Sequence, residues 1–243
     1  MSLITEYKDA EGDVFRVIVP GAEPAPPAAV DLSLPLLGRN DRQAAENRRL
    51  FREHGLVALN LVSSPGAGKT ALLERTLDEL GRERKCAVLV GDLETDNDAR
   101  RLRRDHAAVA QITTGSACHL DAEMVACGAR ALPLDGVRLL FIENVGNLVC
   151  PAAFDLGEEI RVVLLSVTEG EDKPLKYPPI FKSAHVVLLT KVDLVAPLGF
   201  DREAALANIR RIAPQARVLA VSSRTGEGME AWYALLRARL AGA

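Results

Sequence analysis

Cysteine is scarce in this chain. Four residues in 243, Cys86, Cys118, Cys127 and Cys150, are too few to staple a fold and exclude a disulfide framework. In a reducing compartment such residues are core side chains, reactive thiols or metal ligands. Long apolar runs are missing too: no stretch approaches the roughly 18 residues that mark a membrane-spanning helix. The beginning lacks the layout of a secretion signal, because Glu6, Lys8, Asp9, Glu11 and Asp13 interrupt it. The chain therefore reads as cytoplasmic, with no membrane partner. An excess of one charge is also absent. Thirty basic against 33 acidic side chains give a formal net charge of -3, which leaves no footprint for nucleic acid. The basic run Arg100, Arg101, Arg103 and Arg104 is short and helix-like, as on a solvated face.

What is present suits one α/β domain with a modest extension. Hydrophobic residues make up 48% and charged residues 26%, enough to bury a sizeable core. Residues 1–39 differ from the rest. A short strand is expected over 13–19, followed by a Pro/Ala-rich linker over 20–35. A helix is expected from Asn40 as N-cap, through 41–54, to a stop at Gly55. Beyond it, apolar β-type runs occur at 57–62, 86–90, 109–112, 137–142, 161–167, 186–189 and 218–221. Helix-like segments over 69–80, 119–132, 202–212 and 227–240 separate most of them. Near-continuous apolar strands alternating with helices imply a mainly parallel sheet covered on both faces. There is no internal repeat. Ligands in such sheets gather at the carboxyl ends of the strands. Residues 40–243 thus read as the functional domain, and 1–39 as an N-terminal extension and linker.

The strongest motif is Ser63-Ser64-Pro65-Gly66-Ala67-Gly68-Lys69-Thr70, directly after a strand and opening a helix, the context a phosphate loop requires. Gly66 and Gly68 let backbone N–H groups turn toward phosphate with no Cβ in the way, and Ala67 lies between them. Lys69 reaches the β- and γ-phosphates, and the Thr70 hydroxyl ligates Mg²⁺. Ser63 stands where the general pattern has its first glycine. Asp92 and Glu143 each end an apolar strand, so both carboxylates are expected beside the phosphates. One holds Mg²⁺ while the other positions or activates water; which does which stays open, and a helix cap or surface charge is the plainer alternative for either. Gly146 can offer its N–H to a γ-phosphate. For base choice, Thr190-Lys191-Val192-Asp193 supplies a carboxylate able to accept from both N1–H and N2–H₂ of guanine, a donor pair adenine lacks. Lys191 packs along the base, and Ser222 and Ser223 lie where a loop closes over it. Thr190 replaces the usual Asn.

Cys118 and His119 are adjacent and expected at the start of a helix, where a thiol's pKa falls. Cys150 follows Glu143 by seven residues. Two thiolates and an imidazole suit Zn²⁺ or Ni²⁺ but leave a site incomplete, so that water or a second chain must finish it. From spacing alone, an isolated Cys-His pair is more often a packed thiol beside a surface imidazole. Cys127 shares a helical stripe with Leu120 and Met124, and Cys86 opens a buried-looking strand; both read as core.

The segments Asn40 to Thr70, Gly91 to Asp98, Thr114 to Leu120, Ile142 to Pro151 and Glu169 to Pro178 together resemble the HypB family, the GTPases of nickel delivery in [NiFe]-hydrogenase maturation. The likeness runs from about residue 36 to the C-terminus. It implies a SIMIBI-like P-loop NTPase that hydrolyses GTP with Mg²⁺. It also implies Cys118, His119 and Cys150 as ligands of Ni²⁺ or Zn²⁺ between two subunits of a GTP-promoted homodimer. The partners implied are other hydrogenase maturation proteins and the hydrogenase large-subunit precursor. The chain departs from some members: residues 1–39 carry neither the Cys-x-x-Cys-Gly-Cys motif nor a His-rich tract, so tight nickel storage there is not expected.

The expected mechanism is a slow switch in which GTP·Mg²⁺ orders the segments around Asp92 and 143–150. No arginine finger is assignable, with Arg100 to Arg104 only candidates. The urease-maturation sister GTPase favours a Cys-Pro-His motif absent here. A P-loop ATP-dependent kinase and a non-catalytic nucleotide-dependent metal scaffold are the other readings.

Overall fold

The computed structural model describes residues 2–8, 14–20, 36–93, 97–115 and 117–242. Nine strands form a single sheet in the order β1-β2-β5-β4-β6-β3-β7-β8-β9. They are β1 (Ser2–Lys8), β2 (Val14–Pro20), β3 (Val57–Ser63), β4 (Lys85–Asp92), β5 (Ala107–Thr113), β6 (Val137–Glu143), β7 (Ile160–Ser166), β8 (Val186–Thr190) and β9 (Arg217–Val221). The seven strands from β3 onward pair in parallel. The expected mainly parallel α/β sheet is therefore the observed one. β1 and β2 form an antiparallel pair, and β2 joins β5 through Arg16↔Thr113, Val17↔Ile112 and Ile18↔Gln111. β1 is not expected from the sequence, which marks one strand there. The expected linker falls almost wholly outside the described residues.

Helices cover both faces: α1 (Leu36–Glu53), α2 (Lys69–Leu80), α3 (Asn97–Leu102), α4 (Ala122–Ala131), the short α5 (Lys173–Lys176), α6 (Pro178–Lys182) and α7 (Val195–Leu198), then α8 (Arg202–Ile212) and α9 (Met229–Ala241). β3 and β7 are buried along their whole length, which is why they read as unbroken apolar runs rather than alternating ones. On one face Leu72, Leu77 and Trp232 pack with Leu59, Val88 and Phe141. The Trp232 indole donates to Thr76 Oγ1 at 3.0 Å, so its one polar atom is satisfied. On the other face Phe51, Met124 and Cys127 pack with Phe15, Leu89 and Ile142.

Two sequence expectations are corrected. Asn40 is not an N-cap: α1 starts at Leu36, and buried Asn40 donates to the Asp155 carbonyl and accepts from Ala122 N–H. Asn47 adds donations to the carbonyls of Ala122 and Leu156, and Arg48 grips both Asp155 oxygens at 2.8 Å. α1 thus clips the start of α4 to the 155–157 loop. Second, α4 does not begin at His119. Asp121 caps it, accepting from Met124 N–H at 2.7 Å, which leaves Cys118 and His119 in the loop ahead of the cap.

Candidate functional site

The parallel order brings the carboxyl ends of β4, β6, β3, β7 and β8 side by side, so residues distant in sequence meet along one edge. From β3 the chain turns through Pro65 and Gly66 into α2, with Gly66 at φ 73° and Gly68 at φ 101°. These left-handed values favour glycine. Lys69 is buried, and its ammonium donates to Ser63 Oγ at 3.1 Å. The serine in place of the first glycine thus docks the lysine across the loop. Burial pulls the Lys69 pKa down, and the nearby Glu143 charge partly restores it.

Glu143, at the end of β6, is buried and accepts from Thr70 Oγ1 at 2.7 Å. Burial pushes its pKa up to about 7, against the pull of Lys69 and Thr70. Its other oxygen, Oε2, is buried without a hydrogen-bond partner among the described residues. Asp92, at the end of β4, lines the same cleft of about 460 Å³ as Lys69, Thr70, Glu143 and Gly146. A hydroxyl and two carboxylates, one of them with an orphaned oxygen, are the hard oxygen donors that Mg²⁺ takes, so these residues fit the ion. Gly146 approaches Pro65 so closely that a Cβ would lie 2.9 Å from the Pro65 Cα. Asp98 and Arg101 of α3 also line this cleft; by sequence Asp98 has no role and Arg101 is among the arginine-finger candidates. Arg101 is engaged by Asp98 and Glu74.

At the other side of the loop, Thr190 Oγ1 donates to the Ala67 carbonyl at 2.7 Å. The hydroxyl thus ties β8 to the phosphate loop where the usual Asn stands. Lys191, at φ 59°, donates to the Gly66 carbonyl at 2.7 Å. Asp193 accepts from Ser222 Oγ at 2.6 Å. Ser223 contributes its carbonyl, which accepts from Arg75 Nη1 of α2 at 2.9 Å.

Cys118, His119 and Cys150 are brought together, with one ligand atom from each lying within 4.8 Å of the others. The two sulfurs are 3.0 Å apart. His119 packs against the Phe154 ring at a centroid distance of 4.0 Å. The expected lowering of the Cys118 pKa is corrected: its hydrogen bond to Cys150, then burial, raises it, and the residue lies in the loop ahead of α4. Soft sulfur with one imidazole matches Zn²⁺ or Ni²⁺. Cys86 and Cys127 sit in the core, where burial pushes each thiol up to about 12.

A glycine-lined loop between a parallel strand and a helix, with buried lysine and carboxylate, defines a P-loop nucleotide-binding protein. Comparison with known proteins narrows this. Residues 57–220 match the family model described as CobW/HypB/UreG, nucleotide-binding domain. The hydrogenase maturation factor HypB of Azotobacter vinelandii is 58% identical over 200 residues, covering 82% of this chain and 66% of that protein. The crystal structure of HypB from Archaeoglobus fulgidus superposes with a TM-score of 0.79 at 42% identity, covering 84% of this chain and 99% of that one. HypB from Helicobacter pylori, solved in complex with nickel, gives the same TM-score at 39% identity, with 84% and 96% covered. The chain belongs to the HypB family. Among its described residues no helix is long and apolar enough to cross a membrane.

Proposed function

We propose that this protein is a GTP-hydrolysing metallochaperone that delivers nickel during [NiFe]-hydrogenase maturation. In this reading, residues 40–243 bind GTP, turn it over to GDP and phosphate, and change metal affinity and dimerisation with nucleotide state. The observation that carries it is the segment 143–150, bonded at Glu143 to the phosphate-loop Thr70 and at Cys150 to the thiol cluster. The relatives named for hydrogenase maturation, and the one crystallised with nickel, support the cargo and the destination.

Lys69 and the Gly66–Gly68 backbone would hold the phosphates, and Asp193 with Lys191 and Ser222 the guanine. Thr70 with Asp92 or Glu143 would hold Mg²⁺, which when bound neutralises phosphate charge. The other carboxylate would position or activate the attacking water. Nickel is the cargo, held by Cys118, His119 and Cys150, with a second chain completing its coordination in a GTP-promoted homodimer. The recipients would be other maturation proteins and the hydrogenase large-subunit precursor.

The test titrates Ni²⁺ and Zn²⁺ into protein loaded with GDP or a non-hydrolysable GTP analogue while light scattering follows mass. Nucleotide-dependent binding with dimer formation, lost in Cys118→Ala, is expected. Equal binding with either nucleotide would overturn the reading in favour of a plain GTPase or a scaffold.

A further inference from the structure

The segment 143–150 is laced alternately to the two sites. Glu143 accepts from Thr70 in the phosphate loop, and Asn144 Oδ1 accepts from Leu120 N–H. Gly146 packs on Pro65 of the phosphate loop. Asn147 then spans the thiol side: its Nδ2 donates to the Cys118 carbonyl at 3.3 Å, and its Oδ1 accepts from Val149 N–H at 2.9 Å. One side chain therefore fixes the distance between the backbones that carry Cys118 and Cys150, and it follows directly after the glycine that touches the phosphate loop.

Asn144 is buried and also donates to Asn60 Oδ1, so it belongs to the frame on which the segment hangs. Asn147 is half-buried, and its side-chain bonds run to Cys118 and Val149 rather than to the phosphate loop. It can be altered without dismantling β3 or β6.

We propose that Asn147 is the positioning residue that transmits nucleotide state to the metal ligands, by setting the Cys118–Cys150 spacing as the Gly146 segment moves. The inference rests on the proposed coupling of nucleotide to metal binding. A bond to the Cys118 carbonyl does not create ligands. It makes their spacing depend on the loop that reads the phosphate, as a shared two-state element must.

The test measures Ni²⁺ affinity by chelator competition, with GDP and with a non-hydrolysable GTP analogue, in the parent, Asn147→Ala and Asn147→Asp. Asp keeps the acceptor for Val149 N–H and loses the donor to Cys118. Nucleotide affinities are measured in parallel. In the parent the two metal affinities should differ by at least about 5-fold. In both variants the ratio should fall to within about twofold of one, with nucleotide affinities unchanged, a pattern that general destabilisation does not produce. A parent ratio that survives in both variants overturns the role of Asn147 alone. A parent ratio of one overturns the coupling itself, and this inference with it.

Discussion

The phosphate end of residues 143–150 is finished by this chain, whereas the thiol end is only begun. At the phosphate end Lys69, Ser63, Thr70 and Glu143 are all buried, with Lys69 bonded to Ser63 and Thr70 to Glu143. Thr190 and Lys191 brace the loop from the end of β8. At the thiol end the three candidate ligands are half-buried, and Val149 beside them is 63% exposed. Their positions are set second-hand, by Asn147, Phe154 and the clip from α1. A preorganised site binds without rearrangement. A site hung on another segment's hydrogen bonds takes whatever geometry that segment allows. The difference teaches which end should command and which should respond.

The largest expected effect breaks the commanding end alone. Lys69→Ala removes two or more charge-assisted hydrogen bonds to phosphate, so GTP and GDP affinity should fall roughly 1000-fold. Metal affinity without nucleotide should stay within about twofold, because Lys69 touches none of the thiol ligands. Calorimetric titration of each ligand checks this. A parallel loss of metal affinity would show that the two ends fold as one unit, and the contrast drawn above would fail.

A somewhat smaller effect concerns the strain stored at Glu143. Its pKa in the fold is about 7, above the ordinary carboxylate value of 4.5. Between those values the folded state binds more protons than the unfolded one, so its stability should fall as pH rises through that window. The loss is up to about 3 kcal/mol at the end of the window. Glu143→Gln keeps an acceptor for Thr70 and removes the charge, and should flatten that slope. Urea unfolding of nucleotide-free protein from about pH 5 to about pH 8 reads it directly. An unchanged slope in the Gln variant would assign the pH dependence to other groups.

The same contrast decides what the sequence could reveal. The phosphate loop was legible because its chemistry demands fixed residue types at fixed spacing, so Gly66, Gly68, Lys69 and Thr70 announce themselves locally. Asp92 and Glu143 were legible as strand ends, since a buried apolar run ending in a carboxylate places that group at the sheet edge. The roles of Asn40 and Asn147 were not legible. Asn40 bonds to residues 82 and 115 positions away, and a local pattern made it a helix cap instead. Cys118 was placed on a helix because apolar periodicity runs back to Leu120, while the Asp121 cap that stops the helix competes only weakly in sequence. β1 escaped notice because Glu6 and Lys8 break its apolar character, as befits the outermost strand of the sheet, where charge is common. Thr190 departs from the usual Asn by motif, and only the structure shows its hydroxyl bonded to Ala67.

The smallest effect sharpens the account of the finished end. Arg75 is a half-buried residue of α2 whose Nη1 donates to the carbonyls of Ser223 at 2.9 Å and Arg224 at 3.3 Å. It pins the loop proposed to close over the base to the helix that follows the phosphate loop, adding to the ties that Thr190 and Lys191 make to that loop. Arg75→Ala should loosen that loop at a cost of about 1 kcal/mol, or roughly fivefold in affinity. GDP and GTP should be weakened equally, because the loop is proposed to lie over the base, which both ligands carry. The turnover rate at saturating GTP should be unchanged, since Glu143 and Thr70 keep their bond. Steady-state kinetics with nucleotide affinity measured alongside separates these outcomes. A drop in kcat with affinity preserved would mean that Arg75 acts on the phosphate side, and that the two halves of the finished site are less independent than their hydrogen bonds indicate.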